Sequence, residues 1–249
     1  MNYKAFPKKQ GLHDPSFEKD SCGVGFIANM TGDKSHKIIK DGLEILKKLE
    51  HRGACGADAL SGDGAGILIQ MPHSFFDKEC KKLAMTLPPE GQYGAGLVFL
   101  PQDNKCREKC RKILEEEIKN EGLSILGWRD VPVDNKTIGE TARAAEPVIY
   151  QIFIGGGEKF PDALAFDQKL YCVRKQACLR INNGGFNQDE QFYICSLSSR
   201  TFVYKGQLTS DQVESFYLDL KNEHMVTALA LVHSRYSTNT FPSWSRAQP

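Results

Sequence analysis

The sequence predicts an α+β protein, because strand-like and helix-like apolar patterns alternate along the whole chain. Short apolar runs typical of buried strands lie near the start, in the middle and near the end, at residues 23–28, 147–154 and 226–233. Between them, apolar residues recur at the three- and four-residue spacing of amphipathic helices, as in residues 37–51. This periodicity indicates which segments are strands or helices, but not how the strands pair.

The remaining elements follow the same two patterns. Further strands are predicted at residues 67–71, 93–100, 123–133, 191–196 and 201–204, the last two as a hairpin. Further helices are predicted at residues 74–83, 103–120, 162–181 and 209–220, the first three capped by Ser74, Asp103 and Asp162. Gly42 lies inside the first helix, where glycine costs about 1 kcal/mol relative to alanine, so a close neighbour is expected there. No repeat or linker indicates a domain boundary.

Length and composition are those of an ordinary globular protein. The 249 residues suffice for one domain with a core, and 41% of them are hydrophobic and 25% charged. A formal net charge of +1 gives no electrostatic reason to expect nucleic acid or a membrane surface as a partner. The apolar runs are also much shorter than the roughly 18 residues that a membrane span needs.

The first 21 residues are predicted to be a polar leader. They contain charged residues throughout and lack the apolar core of a secretory signal, so a cytoplasmic protein is expected. The eight cysteines form no compact framework, which favours reduced thiols. Cys106 and Cys110 lie four residues apart on a predicted helix, but no second pair completes a four-ligand zinc site. No metal is therefore expected.

Cys22 stands at the head of the first predicted strand. Gly23 and Gly25 let other groups approach the backbone closely. If the chain is cut before Cys22, this residue carries both a thiol and an α-amine, whose reference pKa of roughly 7.7–8.0 suits a base near neutral pH. The amine can then take the thiol proton and leave the nucleophilic thiolate. A buried cysteine that packs as a small hydrophobe fits this segment equally well.

Three motifs together resemble the N-terminal domain of the large subunit of the glutamate synthase family, a class II, N-terminal-nucleophile glutamine amidotransferase domain. They are the Cys-Gly-Val-Gly-Phe start, the glycine-rich stretch 49–66 and the stretch 233–242. The glycine-rich stretch also suggests phosphate binding, but no Gly-Lys-Ser or Gly-Lys-Thr follows it. The similarity runs from Gly11 to Pro249, with Cys55 where a small aliphatic residue is expected. It implies the four-layer α-β-β-α sandwich of N-terminal-nucleophile hydrolases.

The resemblance also implies the site. Cys22 would hydrolyse the side-chain amide of L-glutamine through a thioester, with residues 1–21 removed as a propeptide and residues 22–249 forming part of the amidotransferase domain. Arg235 would grip the α-carboxylate, which a guanidinium fork matches through two parallel hydrogen bonds, and Thr238 would complete the pocket. Arg52 and Gly53 would form a supporting loop beside the nucleophile. A structural ion pair for Arg235 and a surface position for Arg52 remain alternatives.

The resemblance further implies that this chain is the C-terminally incomplete start of a longer protein. In the family, the oxyanion-hole segment and an amine-binding aspartate follow the Arg235 motif and would lie beyond Pro249, so the chain alone is expected to be inactive. No cofactor is expected in this chain. FMN, an iron–sulfur cluster, the synthase domains that pass ammonia to 2-oxoglutarate, and an electron-donating small subunit are expected with the full protein. A non-catalytic relative with a structural Cys22, or another class II amidotransferase, remains an alternative.

Overall fold

The structure, a computed structural model, describes residues 9–11, 14, 21–56, 58–186 and 191–249. Most of the predicted leader lies outside these residues. Strands and helices alternate along the described chain. The strands are β1 (Gly23–Ala28), β2 (Ala65–Gln70), β3 (Tyr93–Leu100), β4 (Ser124–Asp130), β5 (Val148–Gly155), β6 (Tyr193–Ile194), β7 (Thr201–Gly206) and β8 (Leu229–Ser234). The α-helices are α1 (His36–Lys48), α2 (His73–Lys82), α3 (Asn104–Asn120), α4 (Glu140–Ala144), α5 (Ala163–Asn183) and α6 (Gln212–Phe216).

The first sheet, sheet I, has the antiparallel order β1-β8-β2-β7. Strand β8 pairs with β1 through Gly23 and Ser234, and with β2 through Ala65 and Ser234. The C-terminal end of β8 therefore lies between the N-terminal ends of β1 and β2. The residue that follows β8, Arg235, therefore lies between Cys22, which precedes β1, and Gly64, which precedes β2.

Helix α1 packs on sheet I at unusually short distance. A Cβ added at Gly42 would lie 3.0 Å from the Cβ of Ala230 on β8, and one added at Gly25 on β1 would lie 2.5 Å from Cγ2 of Ile45. The close neighbour predicted for Gly42 is confirmed. The helix ends at Lys48 rather than at residue 51, because a short 3-10 helix follows it.

Strand β1 is an edge strand with one covered and one open face. The face with Gly25 lies under α1, whereas Val24 and Phe26 on the other face are 61% and 70% exposed. The prediction of a fully buried first strand is therefore wrong. Its bounds, Gly23–Ala28, are as predicted.

The second sheet, sheet II, has the antiparallel order β4-β5-β3-β6. In chain order the unit reads β3-α3-β4-β5-α5-β6, with the short α4 between β4 and β5, which is the split βαβ arrangement. Helices α3 and α5 contact each other and bury their apolar faces against one side of the sheet. This second core includes Leu114 and Ile118 of α3, Phe166 and Leu170 of α5, and Ile152 of β5.

The split βαβ unit is inserted between two paired strands of sheet I. Gln70 at the end of β2 is the register partner of Thr201 at the start of β7, and the N–H of Met71 donates to the carbonyl oxygen of Arg200 at 2.7 Å. Residues 71–200 therefore leave sheet I and return to it at neighbouring positions. Nothing in the composition of the sequence marked this boundary.

Aromatic side chains join the two sheets. Phe76 of α2 packs edge-on against Phe153 of β5 and Phe202 of β7, with ring centroids 5.2 and 5.0 Å apart. These rings belong to the larger of the two apolar cores, which contains residues from both sheets and from α1, α2 and α6. The sheets thus share one core although they are not hydrogen-bonded into one sheet.

A buried ion pair crosses the same junction. Both terminal nitrogens of Arg129 on β4 donate to the carboxylate of Asp219 at 2.8 Å, and Tyr204 on β7 donates to it at 2.9 Å. Burial works against the charged guanidinium, but the hydrogen bond and charge of Asp219 outweigh it and raise the pKa of Arg129. Arg129 therefore stays charged at the point where the inserted unit meets sheet I.

Three further predictions, a hairpin, a helix and a helix cap, are wrong. Residues 191–204 do not form a hairpin: β6 pairs with β3 in sheet II, whereas β7 pairs with β2 in sheet I. The predicted helix 209–220 is only α6 followed by a 3-10 helix, because Tyr217 between them is fully buried in an extended conformation. Ser74 does not cap α2, since its hydroxyl donates to the carbonyl oxygen of His224.

The predicted α+β class is confirmed. Two antiparallel sheets with helices packed against them form an α+β sandwich, consistent with the N-terminal-nucleophile fold. Asp103 and Asp162 cap α3 and α5 as predicted, each through its carboxylate and a backbone N–H three residues on. Across the described residues, every helix falls short of the length and apolar character needed to cross a membrane.

Candidate active site

Cys22 lies immediately before β1, and its thiol meets the backbone that follows β8. The N–H of Tyr236 donates to Sγ of Cys22 at 3.4 Å, and the thiol donates to the carbonyl oxygen of Tyr236 at 3.7 Å. The side chain is exposed. The main-chain N–H and the main-chain carbonyl oxygen of one residue thus both lie at the sulfur.

Arg235 lies opposite Cys22, one step beyond the Gly23–Ser234 pair. Its backbone is held from two sides: its N–H donates to the carbonyl oxygen of Gly64 at 2.8 Å, and its carbonyl accepts from the N–H of Ala54 at 3.4 Å. Its guanidinium contacts the hydroxyl of Thr240 at 2.5 Å and the carbonyl oxygen of Asp63 at 3.4 Å. Within the described residues, the hydrogen-bond partners of this guanidinium are neutral oxygens, so its bidentate fork holds no carboxylate.

Arg52 and Gly53 form the wall beside the first strand. A Cβ on Gly23 would lie 2.9 Å from the Cβ of Arg52, and one on Gly53 would lie 2.5 Å from Oγ of Ser234. The guanidinium of Arg52 also donates to the hydroxyl of Ser21 at 3.3 Å. The loop after α1 thus contacts both chain neighbours of Cys22, the hydroxyl of Ser21 and the backbone of Gly23.

Gly64 has a backbone conformation that side chains rarely adopt, with φ of +142°. A Cβ there would lie 2.9 Å from the Cβ of Ala247. Gly91 provides a comparison, because its φ of +85° is also positive but nothing lies within 4 Å of an added Cβ. A side chain at position 64 would therefore meet both an unfavourable backbone conformation and a close neighbour.

We expect Gly64→Ala to lower the free energy of unfolding by at least about 2 kcal/mol, because strain and overlap add. Gly91→Ala, with strain alone, should lower it by about 1 kcal/mol. Urea unfolding of both variants measures the difference. Equal losses would show that the overlap with Ala247 relaxes without lowering the free energy of unfolding.

Several other cysteines have environments that disfavour the thiolate. Burial raises the pKa of the Cys80, Cys110 and Cys195 thiols to about 12. Cys55 is exposed like Cys22, but partial burial, and next the negative charge of Asp63, raise the pKa of its thiol. Of the two exposed thiols near the end of β8, Cys22 is the one that has a backbone N–H donor among the described residues.

His233 lies on β8 two residues before Arg235. Its Nδ1 is buried without a hydrogen-bond partner among the described residues. Burial, and then the positive charges of Arg235 and Lys205, lower the pKa of this imidazole. His233 is therefore neutral near pH 7. In the described part of the chain, no group of three or more potential metal-ligating residues comes together.

The structure brings most of the predicted site residues to one end of sheet I. Cys22, Arg235, Arg52 and Gly53 lie there, whereas Thr238 is exposed and the hydroxyl that contacts Arg235 belongs to Thr240. Sequence reasoning also missed two backbone features: the N–H of Tyr236 and the Asp63 loop. An aspartate between two glycines was a visible signal for the second. The first is a main-chain group, which no residue type reveals.

This arrangement suits nucleophilic attack by a thiolate on a substrate that carries a carboxylate. Comparison with known proteins agrees with it. A family model described as class-II glutamine amidotransferases matches residues 22–249. The chain is 49% identical to the glutamate synthase [NADPH] large chain of Bacillus subtilis over 249 residues, which is 100% of this chain and 16% of that protein.

Two further relatives have similar coverage. Identity is 46% to glutamate synthase [NADH] of Saccharomyces cerevisiae over 98% of this chain and 12% of the relative. It is 40% to ferredoxin-dependent glutamate synthase 1 of Arabidopsis thaliana, over 98% of this chain and 15% of the relative. The chain thus spans less than a fifth of the length of each of these relatives.

Proposed function

Because the chain belongs to the class-II glutamine amidotransferases, we propose that it is the glutaminase part of a glutamate synthase. In this proposal it hydrolyses the side-chain amide of L-glutamine and releases ammonia. The single observation that carries the proposal is the contact between the Tyr236 N–H and the Cys22 sulfur, beside Arg235. This contact places the proposed nucleophile, Cys22, beside the proposed carboxylate-binding cation, Arg235, at the end of β8.

Cys22 is the proposed nucleophile. Once residues 1–21 are removed, its α-amine takes the thiol proton, and the thiolate attacks the side-chain carbonyl carbon of glutamine. The C–N bond then breaks, the nitrogen takes the proton and leaves as ammonia, and a thioester to Cys22 remains. Water cleaves the thioester and gives glutamate. While the Ser21–Cys22 peptide bond stands, the nitrogen is an amide and cannot act as base.

Arg235 is the proposed grip on the α-carboxylate. Its present partners are a hydroxyl and a carbonyl oxygen, and both are weaker acceptors than a carboxylate. The substrate carboxylate can therefore replace them with two parallel, charge-assisted hydrogen bonds. Thr238, exposed on the same segment, is proposed to line the pocket, and Arg52 and Gly53 to support the backbone around Cys22.

The remaining proposals concern the longer protein. We assign the transfer of ammonia to 2-oxoglutarate, with FMN and an iron–sulfur cluster, to synthase domains of the same polypeptide. The proposed electron-donating small subunit would act there, not on this chain. We also propose a cytoplasmic location, although the names of some relatives assign those proteins to the chloroplast.

The test is Arg235→Lys in the full-length synthase. The KM for glutamine should rise by about 10- to 100-fold, because lysine cannot form the bidentate pair. Glutamate formation from free ammonia should stay within about twofold, since that route does not use this site. Steady-state assays with each nitrogen source decide it. Loss of both activities together would instead indicate a folding function for Arg235.

A further inference from the structure

A buried carboxylate lies behind the segment that carries Arg235 and Tyr236. Asp63 is only 5% exposed, and its Oδ2 accepts the backbone N–H of Ser237 at 2.6 Å. This distance is short for an N–H donor, as expected for a hydrogen bond to a charged acceptor. Asp63 thus anchors the chain one residue beyond Tyr236, whose N–H meets Cys22.

The backbone of Asp63 joins both neighbouring segments. Its N–H donates to the carbonyl oxygen of Ala54 at 2.9 Å, and its carbonyl oxygen accepts from the guanidinium of Arg235 at 3.4 Å. The preceding glycine is tightly enclosed, since a Cβ on Gly62 would lie 2.2 Å from the carbonyl oxygen of Leu208. The loop therefore has little freedom to redirect the carboxylate.

The carboxylate of Asp63 accepts a hydrogen bond from the backbone amide of Ser237 rather than from the nearby guanidinium of Arg235. Within the described residues, the Arg235 guanidinium donates hydrogen bonds to Thr240 and to the main chain of Asp63, not to the Asp63 carboxylate. An Asp63–Arg235 ion pair would compete with a substrate carboxylate for the same fork. The observed geometry holds the segment in place and leaves the fork available.

We propose that Asp63 is a positioning residue for glutamine hydrolysis: its carboxylate fixes residues 235–237 so that Arg235 and the Tyr236 N–H both face the Cys22 site. This inference rests on the proposed function. Asp63 touches neither substrate nor sulfur in this assignment. It acts through the Ser237 N–H, on which the placing of two separate functional groups depends.

The test compares Asp63→Asn with Asp63→Ala in the full-length protein. Both substitutions remove the charge, but only asparagine keeps an oxygen that can accept the Ser237 N–H. We expect Asp63→Ala to raise the KM for glutamine by about 10- to 100-fold and Asp63→Asn to recover most of that loss. Ammonia-dependent activity should be equal in all three proteins. Asp58→Asn is the matched control, because the carboxylate of Asp58 bonds Leu60, Ser61 and the backbone at the start of α4, and none of these partners belongs to residues 235–237.

Alkylation of Cys22 by iodoacetamide provides a second measurement that does not depend on glutaminase activity. In Asp63→Ala the Tyr236 N–H should leave the sulfur, so the time profile of alkylation at a fixed pH should differ from that of Asp63→Asn, which should match the wild type. Equal KM values and equal profiles for the two variants would overturn the inference. A wild-type protein without glutaminase activity would overturn the proposed function, and the alkylation profiles would still decide the function of Asp63.

Discussion

Replacing Cys22 with alanine is expected to reduce glutamine-dependent glutamate formation by at least about 10³-fold in the full-length synthase, because the nucleophile is lost and water must attack the amide directly. Ammonia-dependent formation should be unchanged. The ratio of the two rates is the measurement, since it cancels differences in protein yield and folding. A residual ratio within tenfold of wild type would remove Cys22 from the mechanism.

Cys55→Ala is the matched control for this experiment. Cys55 is the other exposed thiol near the end of β8, and partial burial and the charge of Asp63 raise the pKa of its thiol. It should keep full glutamine-dependent activity. A glutamine analogue with an electrophilic carbon should label Cys22 in the control and label nothing in Cys22→Ala. Peptide mass mapping that places the label on Cys55 would reverse the assignment.

Asp219→Ala is expected to lower the free energy of unfolding by about 3 kcal/mol, because the buried guanidinium of Arg129 loses two hydrogen bonds of 2.8 Å and keeps only Glu79, at 3.2 Å, as a counter-ion. The same change removes the acceptor of the Tyr204 hydroxyl. Chemical denaturation, followed by circular dichroism, measures this loss. Since native domains are stable by only about 5–15 kcal/mol, the variant should be near the limit of folding at 37 °C.

Lys169→Ala is the control for Asp219→Ala. Lys169 pairs with Glu121 at 2.7 Å on the surface, where its side chain is 44% exposed. Its removal should change the free energy of unfolding by less than about 1 kcal/mol, since water and salt screen exposed pairs. Similar losses in the two variants would mean that the Arg129–Asp219 pair gains nothing from its burial.

The sequence predicted local features of the fold better than distant pairings. The bounds of β1 and β3, and the caps Asp103 and Asp162, depend on neighbouring residues, so local patterns suffice. The pairing of β6 with β3 instead of β7 depends on a contact across almost a hundred residues. Alternation of apolar residues identifies a strand but carries no information about its partner.

The site was predictable to the same extent. A cysteine before a glycine-spaced strand and an arginine after another strand are side-chain features, and both lie where the motifs suggest. The Tyr236 N–H is a main-chain group whose direction depends on the turn after β8. Asp63 was visible as a charged residue between glycines, but a carboxylate does not reveal its donor until the fold places Ser237 beside it.

The inserted split βαβ unit has a consequence for how sheet I assembles. Strands β2 and β7 are register partners across residues 71–200. Closing a loop of that length in a disordered chain costs on the order of 3 to 4 kcal/mol more conformational entropy than closing a two-residue turn. A folded unit removes this cost, because it already holds Met71 and Arg200 at hydrogen-bond distance. Strand β7 therefore joins sheet I efficiently only after the unit has formed. The same holds for β8, which pairs with β2 across an even longer stretch of chain and builds the end that carries Cys22.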